Sequence, residues 1–201
     1  MPDVAIVDYG GGNVRSLRAA LERCGASVRL TSSPDEVAAA ERLMIAGQGA
    51  AGAAMRALEA SGLDGAIRAA VGAGAPLLGV CVGLQILFER SEEDGARCLG
   101  LLPGAVRRIA GARRLPHLGW NDVEPVREHP LTAELPAVAY FAHSFAVEAA
   151  NAAALAVTGV DDASFASVVA QGPVAGAQFH PERSAEAGRA LLRTFLAWDG
   201  R

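Results

Sequence analysis

Short apolar runs alternate with segments of helical spacing through the first half of the chain, and this alternation restricts the fold more than any other feature. The run at residues 4–7 ends at Asp8 and a cluster of glycines, as a buried parallel strand meets its loop. Further apolar runs lie at residues 27–30, 43–45 and 76–80, and helical patterns separate them at residues 13–25, from residue 34, at about residues 50–71 and at residues 84–88. The sequence therefore predicts an α/β fold with a mainly parallel central sheet and helices on both faces.

The pattern changes at about residue 105, where strand-like runs become shorter and turn residues separate them. These runs predict antiparallel hairpins added to the sheet, and they lie at residues 106–109, 138–141, 145–147, 155–158 and 165–169. Residues 174–179 again have the pattern of a buried strand, and residues 185–198 have helical spacing. No linker or repeat interrupts the sequence, so residues 1–201 are predicted to form one domain.

The basic residues exclude several kinds of chemistry, because all 18 are arginine and the chain contains no lysine. A Schiff-base or pyridoxal-phosphate site, a Walker A loop and a kinase site each need a lysine. The net charge of −4 also argues against a nucleic-acid partner.

Three cysteines, Cys24, Cys81 and Cys98, are too few for a disulfide framework and contain no C-x-x-C pair for a metal. We therefore expect a reducing, cytoplasmic location and no metal site. No signal peptide is predicted, and no apolar stretch is long enough to predict a membrane span.

The glycine cluster at residues 10–12 lies where a dinucleotide fingerprint would lie. Arg15 replaces the last glycine of that fingerprint, and no acidic residue closes the second strand. The cluster is therefore interpreted as a tight turn from strand to helix, with Asn13 as the predicted helix cap.

The segment Gly79-Val80-Cys81-Val82-Gly83 has the G-x-C-x-G spacing of a nucleophile elbow, with cysteine in the place of serine. The glycines allow a sharp turn between a buried strand and a helix. The sulfur is then expected to be exposed at the helix N-terminus, where free N–H groups and the helix dipole favour the thiolate. Cys81 is therefore predicted to be a nucleophile, and Cys24 and Cys98 are assigned to packing.

A thiolate nucleophile needs a base, and His180 directly follows the apolar run at residues 174–179. The carboxyl ends of strands are where open α/β sheets gather their catalytic groups. Glu182 lies two residues further on, so in an extended segment it would point the same way as His180. The spacing predicts a Cys-His-Glu triad.

Acyl transfer also needs donors for the tetrahedral oxyanion. The backbone N–H of Val82 is one expected donor. The segment Gly47-Gln48-Gly49, after the third predicted strand, is the expected source of another.

These residues resemble the triad-type, or class I, glutamine amidotransferases. The segments GVCVGLQ and QFHPE, at residues 79–85 and 178–182, are similar to the two catalytic motifs of that superfamily. Within it, the chain resembles the glutaminase subunits of imidazole glycerol phosphate synthase through five more segments in order. These are DYGGGN, FERSEE, PHLGWN, YFAHSF and HPERS, at residues 8–13, 88–93, 116–121, 140–145 and 180–184.

The resemblance implies that Cys81 attacks the carboxamide of glutamine and that His180, held by Glu182, protonates the departing ammonia. Water then releases glutamate from the thioester. The resemblance implies no cofactor, and it assigns glutamine binding to Gln85, Glu93, His143 and Ser144.

The resemblance also implies a partner, a (β/α)₈ cyclase subunit that receives the ammonia for histidine biosynthesis. It places Asn13, Trp120, Tyr140 and Arg183 at or near the interface with that subunit. Arg183 stands where the family often has lysine, so a planar guanidinium replaces a flexible ammonium.

One segment departs from the family pattern, which is usually Pro-Gly-Val-Gly at the oxyanion strand. This chain has Ala46-Gly47-Gln48-Gly49. Because proline fixes φ, we expect Ala46 to loosen this strand and to change how it presents its donor.

Three alternatives remain open from the residues. One is another glutaminase of the superfamily, such as the subunit of pyridoxal phosphate synthase or anthranilate synthase. The second is a non-catalytic scaffold, and the third is a cysteine hydrolase that needs no partner.

Overall fold

The computed structural model describes residues 1–135 and 137–201. The helices are α1 Val14–Arg23, α2 Pro34–Ala38, α3 Ala51–Ala60, α4 Leu63–Gly72, α5 Val82–Gln85 and α6 Ala185–Ala197. The strands are β1 Asp3–Val7, β2 Ser27–Thr31, β3 Leu43–Gly47, β4 Leu77–Cys81, β5 Arg90–Ser91, β6 Ala105–Arg108, β7 His117–Asp122, β8 Glu124–Pro125, β9 Val138–His143, β10 Phe145–Val147, β11 Ala154–Val160, β12 Ala163–Gln171 and β13 Val174–Ala177.

The central sheet has the strand order β2-β1-β3-β4-β13-β12-β11-β8. The five neighbouring strands β2, β1, β3, β4 and β13 are parallel. Strands β12, β11 and β8 continue the sheet with antiparallel pairing. Strands β3 and β4 are buried along their whole length, as their uninterrupted apolar sequences require. The predicted parallel sheet with an added antiparallel section is confirmed. Of the shorter runs predicted to extend it, those at residues 155–158 and 165–169 join it as β11 and β12. The prediction is wrong for the other runs, because β6 and β10 pair in a separate sheet with β5, and β9 pairs with β7.

Helices cover both faces of the sheet, because the chain builds the sheet outward from β1 first in one direction and then in the other. The crossover through α1 leads from β1 to β2, and the next crossovers lead back across β1 to β3 and β4. Right-handed crossovers in opposite directions put their helices on opposite faces. Accordingly, α1 packs with α6, whereas α2 and α3 both pack with α4.

Four local predictions differ from the structure. The helix predicted at about residues 50–71 is two helices, because Gly62 takes a left-handed conformation with φ of 72° between α3 and α4. The helix predicted at residues 84–88 is the single turn α5. The strand predicted at residues 174–179 ends at Ala177. Asn13 makes no side-chain cap bond, because its ψ of 59° lies outside the extended region that a cap residue uses.

A separate two-stranded sheet pairs β7 with β9, and the sequence analysis did not predict β7. Trp120 lies opposite Tyr140 in this pair. Since side chains alternate along strands, Leu118 and Val138 lie on the same side of this sheet as Trp120 and Tyr140. Leu118, Trp120 and Val138 are exposed, and Tyr140 is half-buried. These four residues are called the β7/β9 face below.

Within the part of the chain that the structure describes, no helix is both long enough and apolar enough to cross a bilayer.

Candidate active site

Cys81 lies at the junction of β4 and α5 in a strained conformation, with φ of 55° and ψ of −112°. Such a positive φ in a residue with a side chain costs about 1–3 kcal/mol and must be imposed by its surroundings. The two flanking glycines allow it. A Cβ on Gly79 would lie 2.4 Å from the carbonyl oxygen of Gly83, and one on Gly83 would lie 2.1 Å from that of Ile45. The turn has the geometry of a nucleophile elbow.

The environment of the sulfur differs from the sequence prediction in two respects. Cys81 is only 4% exposed, so it is reached through a cavity instead of standing on the surface. The cavity has a volume of about 260 Å³ and is also lined by Val82, Gln85 and His180. Helix α5 is one turn long, so its dipole is weaker than predicted, because the macrodipole sums over aligned peptides.

His180 and Glu182 form the predicted pair, but by a different local geometry. The Oε1 atom of Glu182 lies 3.1 Å from Nδ1 of His180, and both side chains are buried. His180 is extended, but Pro181–Arg183 form a turn of 3₁₀ helix. The backbone of residues 180–182 is therefore not wholly extended, contrary to the prediction. The tight turn instead folds the carboxylate back onto the imidazole.

His180 and Cys81 line the same cavity, and the ionisation of each affects that of the other. Burial alone would lower the pKa of the imidazole, because it disfavours the charged ring. Interaction with Cys81 and the hydrogen-bonded carboxylate of Glu182 outweighs that effect and raises the pKa of His180 to about 10. The arrangement holds a proton on His180 beside the sulfur.

Gln178 is a further neighbour of the sulfur to which the sequence analysis gave no role. Its side chain is fully buried, and its Nε2 lies 3.8 Å from Sγ of Cys81. Its Oε1 accepts a hydrogen bond of 3.3 Å from Nε2 of Gln85. The sequence signal was a polar residue next to Ala177 at the end of a buried strand, where an apolar side chain would be expected.

The oxyanion segment lies against the elbow. A Cβ on Gly47 would be 2.5 Å from the backbone nitrogen of Gly83, so only glycine allows β3 to approach so closely. Gln48 and Gly49 line the cavity with Val82. The hydroxyl of Tyr9 donates a 3.0 Å hydrogen bond to the carbonyl of Ala46, a contact that the sequence analysis missed.

The four residues assigned to glutamine binding, Gln85, Glu93, His143 and Ser144, all line the cavity. Three of them also make structural bonds. Nδ1 of His143 lies 2.9 Å from the carbonyl of Phe145. Glu93 accepts a 3.0 Å hydrogen bond from the backbone N–H of Ala51 at the start of α3. Gln85 donates a 2.8 Å hydrogen bond to the carbonyl of Phe145.

The predicted interface residues occupy different positions around the site. Arg183 lines the cavity, and its guanidinium lies 4.4 Å from the centre of the Tyr140 ring. That ring meets Trp120 edge to face, with 6.0 Å between centroids. Arg183 thus joins the cavity to the β7/β9 face. Asn13 lies at the start of α1 and is not among the cavity residues.

Cys24 and Cys98 are unpaired thiols outside the cavity. Burial raises the pKa of both, to about 11 for Cys98. A thiol with a raised pKa is a poor nucleophile. The described residues contain no cluster of histidine, cysteine and carboxylate side chains placed to hold a metal ion.

Comparison with known proteins gives consistent matches. The family model for class-I glutamine amidotransferases matches residues 5–198. The imidazole glycerol phosphate synthase subunit HisH of Xylella fastidiosa strain Temecula1 is 47% identical over 204 residues, which cover 99% of each chain. The HisH subunit of Xanthomonas axonopodis pv. citri is 47% identical over 202 residues, which cover 98% of each chain.

Two solved structures share the fold. One is described as a glutamine amidotransferase, and it superposes with a TM-score of 0.75 at 22% identity over 98% of this chain and 99% of the other. The other is PurLQS from Thermotoga maritima, with a TM-score of 0.76 at 23% identity over 98% of each chain. At this level of identity the two structures support the fold alone.

Proposed function

The chain belongs to the class-I glutamine amidotransferases and, within them, to the HisH subunits of imidazole glycerol phosphate synthase, and we propose that its cavity hydrolyses glutamine through Cys81, His180 and Glu182. One observation supports this most directly. A cysteine in a positive-φ elbow shares one cavity with a histidine whose Nδ1 is held by a buried carboxylate. These are the nucleophile, base and orienting group of acyl transfer.

The proposed reaction has two halves. Sγ of Cys81 attacks the side-chain carboxamide carbon, and the N–H of Val82 and an N–H of the segment Gly47-Gln48-Gly49 bind the oxyanion. His180 gives its proton to the amide nitrogen, the C–N bond breaks and ammonia leaves a glutamyl thioester. His180 then takes a proton from water, the resulting hydroxide attacks the thioester, and glutamate departs as Cys81 is regenerated.

The proposed substrate site is the remainder of the cavity. Glu93 and Ser144 line it, and their polar groups suit the α-amino and α-carboxylate groups of an amino acid. We assign them, with Gln85 and His143, to the glutamine pocket. No cofactor has a role in this proposal.

The proposed partner is a (β/α)₈ cyclase subunit that takes up the ammonia in histidine biosynthesis in the cytoplasm. The β7/β9 face suits a protein partner, because Leu118 and Trp120 are large apolar side chains that are 65% and 56% exposed. Arg183 lies between this face and the cavity, where ammonia would have to pass. We include Asn13 in the same proposed interface because the resemblance assigns it there.

A glutamate-release assay tests the function, using the chain alone and with the cyclase and its nucleotide substrate. We expect release to rise sharply on complex formation and to be lost in Cys81→Ser but not in Cys98→Ser. No turnover in either condition would indicate a scaffold. A rate of glutamate release that is the same with and without the cyclase would indicate an independent hydrolase.

The passage of ammonia has its own test. Arg183→Ala removes the guanidinium, whereas Arg183→Lys keeps a charge without the planar donor geometry. We expect both variants to hydrolyse glutamine and to form less cyclase product per glutamate, with the larger loss in Arg183→Ala. Unchanged coupling in both variants would contradict a gating role.

A further inference from the structure

Asn121, on β7, has a side-chain amide whose orientation is fixed by two backbone groups. Its Nδ2 donates a 2.8 Å hydrogen bond to the carbonyl of Gly159, and its Oδ1 accepts one of 2.8 Å from the N–H of Asp122. If the amide were reversed, its oxygen would face the carbonyl oxygen of Gly159 and its NH₂ group would face the N–H of Asp122. Its second Nδ2 proton therefore points at Nε2 of His117, 3.1 Å away, and that ring nitrogen must be the acceptor.

The direction of the next two bonds follows from this. A neutral His117 that accepts at Nε2 carries its proton at Nδ1, and that atom lies 3.5 Å from Nε2 of His143. Nδ1 of His143 lies 2.9 Å from the carbonyl of Phe145, which can only accept. His143 must therefore carry its proton at Nδ1 and accept at Nε2. The backbone groups at the two ends of the series independently require the same direction for every bond.

We propose that Asn121, His117 and His143 form a positioning chain that ties the wall of the glutamine cavity to β7. The cavity is called a glutamine site here on the strength of the function proposed above. At its inner end, the carbonyl of Phe145 also accepts the hydrogen bond from Gln85, whose amide in turn reaches Gln178 beside the sulfur. At its outer end, Asn121 is next to Trp120 of the β7/β9 face.

The positioning chain has a consequence for proton transfer. Both nitrogens of His143 are engaged within the protein, so His143 contributes a wall of the cavity and has no nitrogen free to exchange protons with a substrate. Burial lowers the pKa of His143 to about 3, with the hydrogen bond to Phe145 opposing the shift and the neighbouring His117 and His180 adding to it. His180 is then the one imidazole of this cavity that transfers protons.

Nitrogen-15 spectroscopy of the histidine rings tests the direction of the bonds. We expect His117 and His143 in the unmodified protein each to show a protonated Nδ1 and a bare Nε2. The hydrogen-bond partner of each ring nitrogen decides which nitrogen carries the proton. A single tautomer on each ring therefore requires neighbours in fixed positions. A protonated Nε2 on either ring, or averaging between tautomers, would overturn the proposal without any activity measurement.

Asn121→Leu tests the positioning role. It removes the donor that holds Nε2 of His117, so we expect His117 to lose its single tautomer, whereas His143 remains held by the carbonyl of Phe145. We also expect the KM for glutamine to rise about tenfold, as for a polar group left unpaired in a buried site, with kcat changed less than about twofold. The assay uses the complex with the cyclase.

Asn151→Leu is the matched control. Asn151 also bridges a backbone carbonyl and a backbone N–H, those of Pro103 and Ala153, but its side chain makes no hydrogen bond to a histidine among the described residues. We expect the control to leave the KM and the tautomers unchanged. An Asn121→Leu protein with the same KM and the same single His117 tautomer would overturn the positioning role. If the unmodified protein shows the predicted tautomers but never hydrolyses glutamine, the proposed function fails and the chain of bonds stands.

Discussion

The backbone of Tyr140, on the β7/β9 face, is hydrogen-bonded to the backbone of His180, the proposed base. The N–H of His180 donates to the carbonyl of Tyr140 at 3.0 Å. The N–H of Tyr140 donates to Oγ of Ser184 at 2.9 Å, and that hydroxyl donates to the carbonyl of His180 at 2.6 Å. If a bound protein displaced this face, these hydrogen bonds would therefore shift the backbone of His180 as well.

Replacing Ser184 tests this connection. Ser184→Ala removes both hydrogen bonds of a fully buried hydroxyl, and we expect the kcat for glutamine hydrolysis in the complex to fall about five- to tenfold. Because the proposed glutamine pocket is untouched, the KM should stay within about twofold of the original value. The control is Ser164→Ala, at an exposed position on β12. Steady-state kinetics with equal falls in both variants would contradict the prediction.

Gln178 is expected to matter for the reactivity of the sulfur. Gln178→Met keeps the length of the side chain and removes the amide, so Cys81 loses a donor and Gln85 loses an acceptor. We expect both kcat and the rate of Cys81 alkylation by iodoacetamide to fall about tenfold. Gln171→Met, at an exposed site on β12, should change neither rate. Normal alkylation in Gln178→Met would show that the amide does not act on the sulfur.

The elbow predicts a steep steric cost at Gly83. In Gly83→Ala, the new methyl would overlap the carbonyl of Ile45, and we expect at least about 2 kcal/mol of lost stability in urea unfolding. Gly65→Ala is the control, because Gly65 lies within α4 with nothing within 4 Å of its added Cβ. That variant should gain up to about 1 kcal/mol from helix propensity. Similar stabilities of the two variants would refute the crowding.

The hydroxyl of Tyr9 is expected to hold the oxyanion strand where the family more often has proline. Burial, with a smaller contribution from the charge of Cys81, raises the pKa of Tyr9 to about 12, so the hydroxyl stays a donor to the carbonyl of Ala46. Tyr9→Phe should lower kcat by about fivefold. Adding Ala46→Pro, which restrains φ directly, should restore most of that loss. An unchanged rate in Tyr9→Phe, or purely additive losses in the double variant, would count against this role.

Gln48 lies in the same segment as Ala46 and is the second residue that departs from the usual family pattern. Gln48→Val combined with Ala46→Pro reproduces the usual family segment, and we expect a change in the basal or the cyclase-stimulated rate of glutamine hydrolysis. If both rates remain the same, the departure in this segment has no effect on the donor.

His143 predicts a dependence of stability on pH. Its pKa in the folded chain is about 3 against an ordinary value of 6.5, so between these values the unfolded chain binds more protons. The free energy of unfolding should therefore fall as the pH falls below 6.5, by on the order of 3 kcal/mol at pH 4. His180 acts in the opposite range, because its raised pKa adds stability that is lost as the pH rises through about 10.

Urea unfolding at pH 7 and pH 4 measures this loss. His143→Gln keeps a donor and an acceptor without a titrating group, so its loss between the two pH values should be smaller than that of the original protein. Equal losses would place the acid sensitivity elsewhere, for example at His117, whose pKa burial also lowers.

The amino-acid sequence by itself determined the sheet, the elbow and the two motifs around Cys81 and His180. These features depend on local patterns: apolar runs between turns, glycines on either side of one cysteine, and a histidine two residues from a glutamate. Local patterns were insufficient where the backbone could fold in more than one way, as in the turn that brings Glu182 onto His180.

Only the tertiary structure decided which distant polar groups meet at the cavity. Tyr9 reaches Ala46, Gln178 reaches Cys81 and His117 reaches His143 across separate strands and loops. No periodicity encodes such contacts, because they depend on strand order and on the register of β7 against β9. Burial then makes each contact matter, since a buried polar group without its partner costs more free energy than the bond itself contributes.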